Sequence, residues 1–423
     1  MPFEKFRLLL LMLALLVYGT FSNPTPDSVG PAEISLFALL LLSIGPLPFL
    51  KMAAGVGLFS QPLSAHWYRL CAFYLLLTVW LIVGVARNNP VGEMVRDMIA
   101  FCFVFLPVLL VTAFPTQWSD NDLRKITDTL AIVGVLLAIR HMMSVGLNIS
   151  ELGKSFENDH TLYLSTDPTV LFAAVYLPLR AWDFSANGRR MSAFARLLFL
   201  GGGLTAAIAL ASKGHRGPLA LMAAAYGYFG VVRGSRSAGT AMLLLLAVGL
   251  IAFAGRDQIS LVIDALMRKQ ENRGINGRDF EMYAVFEAIS GSAQSLALGL
   301  GFGSSFYNPA AGGGFVNFAH VFASWAVLKG GFFTAVVMIF YALSFLPPLL
   351  RIARRDLSLF LALSCPFVIG ALINGSYRML TFGFLLYVVL ATTQRAAQNL
   401  PLGSPPPRRT AVPPVTTAFR KPQ

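Results

Sequence analysis

Residues 68–86 read YRLCAFYLLLTVWLIVGVA, an apolar and aromatic run that carries a single charge, at Arg69. About 20 consecutive apolar residues in a helix are enough to cross the hydrocarbon core of a bilayer. This run therefore predicts a membrane-spanning helix, and the rest of the chain can be compared with it.

Similar runs recur through the 423 residues and predict an all-α polytopic membrane protein of about twelve spans, with one large, partly helical periplasmic loop. The first run could also be a signal peptide, because Lys5 and Arg7 precede it, but no small-residue cleavage pattern follows, so we take it as a helix. The predicted spans cover about 6–22, 33–50, 68–86, 95–114, 126–147, 167–182, 194–212, 217–232, 240–255, 323–346, 357–373 and 377–393.

The composition agrees with this class of protein and excludes others. Hydrophobic residues make up 56% and charged residues 13%, against about 45–50% and about 25% in soluble domains. The net charge is +13, and in a membrane protein such an excess of Lys and Arg is expected in cytoplasmic loops. It does not indicate binding to nucleic acid. Cys71, Cys102 and Cys365 lie within apolar runs, and no Cys/His cluster has metal-ligand spacing. We therefore expect no disulfide framework, no metal and no cofactor.

The distribution of Lys and Arg predicts the orientation, since these residues concentrate in cytoplasmic loops. Placing the N-terminus inside puts most of the 33 Lys and Arg in the cytoplasm, and the C-terminus with them. The expected organisation is a transmembrane domain over 1–393 and a disordered, Pro-rich and basic cytoplasmic tail over 394–423. The large periplasmic loop covers about 256–322, between spans nine and ten, with helices expected around 257–270 and 279–290.

Several cations remain on the outer side, at or just within the ends of spans. Each alone is explained by snorkelling to the interface or by pairing with an acid, as for Arg96 beside Asp97. Together they indicate an outward-facing chamber that holds an anion. They are Arg87, Arg96, Arg140, Lys213, Arg216 and Arg378.

The turn at 212–220, SKGHRGPLA, is the most cationic of these places. Pro218 suits the first turn of a helix, and free N–H groups at a helix start favour an anion. Lys213, His215 and Arg216 are therefore candidate anion-binding residues, with Arg216 able to form a bidentate contact. The alternative is a tight turn whose charges lie among lipid headgroups.

Three further features lie in or beside the large loop. Arg278 stands at a predicted helix start, followed by Tyr283 on the same helix. The sequence GLGFG at 299–303 lacks the flanking strand and helix of a nucleotide-binding loop, so it is interpreted as a flexible bend. His320 lies where the loop re-enters the membrane, and its imidazole could accept a proton near neutral pH.

In order and spacing, these segments resemble the bacterial O-antigen ligase and O-antigen polymerase superfamily over about 200–345. That family has an Arg-Gly turn in mid-chain, then a large periplasmic loop with an Arg followed by an aromatic, a Gly-x-Gly-x-Gly, and a His that opens a helix with a later Gly. The corresponding residues here are Arg216-Gly217, Arg278 with Tyr283, Gly299/Gly301/Gly303, His320 and Gly330. An alternative register aligns Ser212-Lys213-Gly214 with the first motif, and Val321 stands where ligases often have Asn.

The resemblance implies a metal-independent glycosyltransferase of the bacterial inner membrane. Its donor would be a glycan on undecaprenyl pyrophosphate, and its acceptor either lipid A-core or a growing polysaccharide. His320, Arg216 and Arg278 would be catalytic, and Arg216, Lys213, His215 and Arg278 would bind the pyrophosphate. Glu281 or Glu287 could replace His320 as the proton acceptor.

A transporter or flippase for a lipid-linked or anionic substrate is the alternative from another class. Such a protein needs a polar path across the membrane. Within the predicted spans, only Asp128, Arg140 and His141 suggest one.

Overall fold

A computed structural model describes residues 2–22, 30–55, 65–114, 118–145, 159–186, 191–212, 215–234, 278–308, 314–373 and 375–398. Described residues are mostly helical, as an all-α membrane protein requires. The predicted ninth span at 240–255, the predicted helix around 257–270 and nearly all of the predicted tail lie outside these ranges.

The described chain forms sixteen α-helices and one antiparallel hairpin. The helices are α1 Pro2–Phe21, α2 Pro31–Ile44, α3 Pro46–Ala53, α4 Ala65–Ala86, α5 Val91–Ala113, α6 Asp120–Val145, α7 Asp159–Thr166, α8 Pro168–Ala186, α9 Ala193–Ser212, α10 Arg216–Gly234, α11 Arg278–Ile289, α12 Ala293–Leu298, α13 Phe322–Leu343, α14 Leu346–Ala353, α15 Leu357–Val368 and α16 Leu380–Gln398. The strands are β1 Phe306–Asn308 and β2 Gly314–Val316. A π-helical turn, Ile369–Ile373, and a 3₁₀ turn, Gly375–Arg378, separate α15 from α16.

Five described helices are long and apolar enough to span a bilayer, which makes this a membrane-embedded protein. These are His66–Ala86, Val91–Ala113, Asp120–Ser144, Ala193–Ser212 and Phe322–Ala353, and each overlaps a predicted span. Shorter apolar helices are Pro31–Ile44, Leu357–Leu372 and Leu380–Thr393. The predicted total of twelve spans is therefore supported only in part.

The predicted span 33–50 is not one continuous helix. The chain breaks between α2 and α3 at Gly45, where φ is 84°. An L side chain rarely adopts that backbone conformation, whereas glycine does so readily. Pro46 then begins the next helix, so Gly45 and Pro46 together redirect the chain where hydropathy alone predicts continuity.

The helix α13 is also interrupted, at Gly331, where φ is 65° and ψ is −166°. A break inside an apolar bundle leaves backbone carbonyls without helical partners, and these must be satisfied within the protein. The N–H of Leu300 donates to the carbonyl of Leu328 and the N–H of Gly301 to that of Lys329, each at 2.9 Å. The loop preceding the hairpin thus completes the hydrogen bonding of the broken helix.

This loop, residues 299–303, is the GLGFG sequence, and it is not the flexible bend that the sequence analysis expected. Gly299, Gly301 and Gly303 have φ of 70°, 76° and 76°. A Cβ on Gly299 or Gly301 would collide with the backbone of α13 or α4. The N–H of Phe302 donates to the carbonyl of Trp80 at 3.0 Å. The glycines therefore permit close packing of a fixed loop between two spanning helices.

An ion pair that the sequence did not predict anchors this loop. The Nζ of Lys329 lies 2.5 Å from Oδ2 of Asp97, and both side chains are fully buried. The same Asp97 oxygen accepts from the N–H of Gly303 at 2.8 Å, and Lys329 donates to the carbonyl of Ser304 at 2.8 Å. The pair therefore connects α5, α13 and the glycine loop.

Removing one partner of this pair should destabilise the protein strongly. Asp97→Ala or Lys329→Met leaves an uncompensated buried charge, which costs about 3–5 kcal/mol. The double variant Asp97→Ala/Lys329→Met removes both charges and should recover much of that loss. Thermal unfolding of the detergent-solubilised protein, followed by size-exclusion chromatography, measures all three variants. Additive losses in the double variant would contradict a coupled pair.

Candidate functional site

The structure brings His320 and the helix that Arg278 begins into direct contact. The residue that joins them is Glu281, in the first turn of α11, where only 2% of the side chain is exposed. Its Oε1 accepts from the backbone N–H of His320 at 2.7 Å, and its Oε2 lies 2.6 Å from His320 Nδ1. The carboxylate thus holds both the backbone and the ring of His320.

These contacts determine which ring nitrogen of His320 can accept a proton. Burial raises the pKa of the Glu281 carboxyl, but hydrogen bonds and charge from His320 and charge from Arg278 outweigh it, so the pKa lies below its ordinary value of 4.5. Glu281 is therefore ionised at neutral pH and can only accept hydrogen bonds. Nδ1 of His320 must then carry a proton, so in the neutral ring Nε2 is the acceptor, on a side chain that is 37% exposed.

The structure also distinguishes the two carboxylates, Glu281 and Glu287, that could replace His320 as the proton acceptor. Glu281 is buried and already accepts two hydrogen bonds, so it orients His320 and does not reach a substrate. Glu287 is exposed, but six residues along a helix place it about 240° around the axis from Glu281. It therefore points away from the face that carries the pair, and His320 remains the best-placed proton acceptor.

Arg278 adds a positive charge to this pair. It is the first residue of α11, as expected, and its Nη1 lies 3.7 Å from Oε2 of Glu281. Burial lowers the pKa of Arg278, against the negative charge of Glu281, but a guanidinium remains protonated in proteins. Asn308, on β1, has its Nδ2 3.5 Å from the same carboxylate oxygen. The hairpin thus packs against the site.

The 3₁₀ turn Gly375–Arg378 approaches His320 from another side. The hydroxyl of Tyr377 donates to the carbonyl of Ala319 at 2.7 Å. The guanidinium carbon of Arg378 lies 4.7 Å from the ring centroid of Phe318, and that ring meets the His320 ring edge-on at 5.0 Å. Arg378, which the sequence places among the outer cations, is therefore a neighbour of the Glu281–His320 pair.

Arg216 begins α10, as the sequence predicts, and the Nε2 of the preceding His215 lies 3.1 Å from Oγ of Ser165. His215 and Ser376 line the same small cavity. Because the next residue, Tyr377, donates to the carbonyl of Ala319, the turn 375–378 connects this cavity with the segment that carries His320. Lys213 is outside the described residues.

Two of the outer cations form hydrogen bonds with other parts of the protein. The Nη1 of Arg140 donates to the carbonyls of Gly19 and Ser22 at 3.0 and 2.8 Å, so it caps the C-terminal end of α1. The Nη2 of Arg87 donates to Oγ of Ser295 at 2.7 Å. Of the six cations, Arg378 is the one that the described structure brings beside His320.

Within the described ranges, no group of three or more His, Cys, Asp or Glu residues is arranged to hold a metal ion. No model of a known protein family matches this sequence, and no curated protein matches it significantly. Any function inferred for this protein must therefore come from the geometry of the site and from the order of its motifs.

Replacing Glu281 with Gln should lower stability in a pH-dependent way. Hydrogen bonds to a charged group contribute about 1.5–3 kcal/mol each, and Gln cannot accept both in the same form. Because the folded-state pKa of Glu281 is lowered, its stabilisation is complete above the unfolded pKa and is lost as pH falls through the folded value. Thermal unfolding of wild type and Glu281→Gln should therefore differ at neutral pH and converge in acid.

Glu287→Gln is the matched control, since it makes the same change at an exposed position of the same helix. It should unfold like the wild type at every pH. A deficit of Glu281→Gln that is equally large at neutral pH and well below pH 4.5 would contradict an ionised Glu281.

Proposed function

We propose that this protein is a glycosyltransferase of the O-antigen ligase and polymerase type, acting at the periplasmic face of the bacterial inner membrane with both termini in the cytoplasm. It would transfer a glycan from undecaprenyl pyrophosphate to lipid A-core or to a growing polysaccharide of the lipopolysaccharide kind. The observation that supports the proposal is the contact of Glu281 with both His320 and Arg278, because the order of the motifs selects Arg278 and His320 from distant parts of the loop.

The reaction of the acceptor glycan follows from the tautomer of His320 in which Nε2 is free to accept a proton. A hydroxyl of the acceptor glycan donates to Nε2, and His320 takes that proton as the oxygen attacks the anomeric carbon of the donor sugar. Glu281 stabilises the imidazolium that forms, in the way that a buried carboxylate supports a catalytic histidine. The new bond joins the acceptor oxygen to the anomeric carbon.

The leaving group requires positive charge. As the bond between the anomeric carbon and the phosphate oxygen breaks, its electron pair passes to the diphosphate, whose negative charge increases. A guanidinium fixed beside that oxygen stabilises the transition state more than the ground state. Arg278 takes this role, and its contact with Glu281 fixes its position.

Arg216, Lys213 and His215 are proposed to contact the diphosphate from the far side of the turn 375–378. His215 and Ser376, the neighbour of Tyr377, line the same small cavity, which brings His215 close to this turn. The imidazolium of His320 finally loses its proton to water or to the departing diphosphate, which restores the enzyme.

The proposal predicts that His320→Ala abolishes transfer while the protein still inserts and folds. Losing a general base typically costs a factor of about 10²–10⁴ in rate. Purified protein in liposomes, with lipid-linked glycan and acceptor and no ion gradient, gives the direct measurement as new glycosidic product. Arg278→Ala should lose activity as well, because the developing charge is no longer compensated.

His66→Gln is the control, since His66 lies at the opposite end of α4 from the glycine loop and bonds to Thr112. It should keep wild-type activity. Wild-type product formation by His320→Ala would remove the catalytic assignment. Movement of lipid-linked glycan across the bilayer without any new glycosidic bond would favour a flippase.

A further inference from the structure

Arg378 is a cation beside the site whose charge no described acid compensates by direct contact. Among the described residues it forms no ion pair, and its Nε is buried without a hydrogen-bond partner. The nearby acids are already engaged, Glu281 by His320 and Asp97 by Lys329. Glu93 accepts a hydrogen bond from Asn317. A half-buried guanidinium without an anion is unfavourable in a folded protein.

The position of Arg378 is nevertheless fixed by its surroundings. Its guanidinium stacks on Phe318, and such cation–π contacts leave the N–H edge of the group free. The preceding residue, Tyr377, is fully buried, bonds to the carbonyl of Ala319, and packs its ring against Trp325 at 5.2 Å. The backbone that carries Arg378 is therefore tied to the chain on both sides of His320.

The ring of Phe318 relates Arg378 to the proposed base. It touches the guanidinium of Arg378 with one part and the imidazole of His320 with another. An oxyanion that binds the free edge of Arg378 would therefore lie next to His320. Arg278, whose Nη1 lies 3.7 Å from the same Glu281 oxygen that His320 Nδ1 contacts, supplies a second guanidinium.

We propose that Arg378 binds the diphosphate of the lipid-linked donor, so that Arg378 and Arg278 form the diphosphate-binding pair next to His320. This inference rests on the proposed function and deepens it, because it adds Arg378 to the residues proposed to bind the diphosphate. A guanidinium edge can bind two phosphate oxygens at once, and two such groups match a diphosphate better than a monophosphate.

The test is binding of undecaprenyl diphosphate to the full-length protein in nanodiscs, with undecaprenyl monophosphate as the comparison lipid. Wild type should prefer the diphosphate. Arg378→Ala should bind the diphosphate at least about tenfold more weakly, the usual consequence of losing a hydrogen bond to a charged group. Arg378→Lys, which keeps the charge but not the fork, should recover part of the affinity.

Arg354→Ala is the matched control, because it removes an exposed arginine just after the end of α14, far from the start of α13, and should bind like wild type. Thermal unfolding separates binding from folding. Arg378→Ala should unfold at the wild-type temperature or higher, since an uncompensated charge has been removed. Weaker binding together with a lower unfolding temperature that Arg378→Lys does not restore would make Arg378 structural and overturn the inference.

The two proposals fail in different ways. Diphosphate affinity of Arg378→Ala within twofold of wild type would overturn the assignment of Arg378 and leave the glycosyltransferase proposal in place. Absence of diphosphate binding by the wild type would overturn the proposed function itself, and the assignment of Arg378 with it.

Discussion

The buried contact between Asp97 and Lys329 is the constraint on which the arrangement around the site depends. An apolar environment does not tolerate unsatisfied backbone groups, so a spanning helix that breaks at Gly331 needs partners from elsewhere in the protein. The glycine loop supplies N–H groups to the freed carbonyls, and Asp97 accepts from the same loop. The ion pair therefore anchors the same loop that satisfies the carbonyls of the broken helix.

This arrangement positions the site because the chain between its two fixed ends is short. At one end, the carbonyl of Ser304 accepts a hydrogen bond from Lys329. At the other end, the chain enters α13 at Phe322. Between them lie the hairpin, whose Asn308 faces Glu281, and His320 itself. A histidine on a long loop becomes well oriented only if the loop is anchored, and binding groups commonly lie on loops that a rigid scaffold positions. Here the membrane-spanning helices provide that scaffold.

Sequence reasoning found the elements that depend on local information. Long apolar runs predicted α4, α5, α6, α9 and α13, and the start of α11 at Arg278 was predicted correctly. The breaks at Gly45 and Gly331 were missed, because glycine within an apolar run is compatible with a continuous helix until tertiary contacts are known. The Asp97–Lys329 pair joins residues more than two hundred positions apart, and no local pattern specifies it.

Some residues of the candidate site could be predicted from the sequence and others could not, for a physical reason. His320 and Arg278 carry local signals, a histidine at the membrane re-entry point and a cation at a helix start. From sequence, Glu281 was an alternative proton acceptor, and its role in orienting His320 follows only from contact across the loop. Arg378 was predicted only as one of the outer cations, whereas Arg216 also carried a motif of the resemblance. The irregular backbone between α15 and α16 distinguishes them, because it places Ser376 at the cavity of His215 and Arg378 at the ring that touches His320.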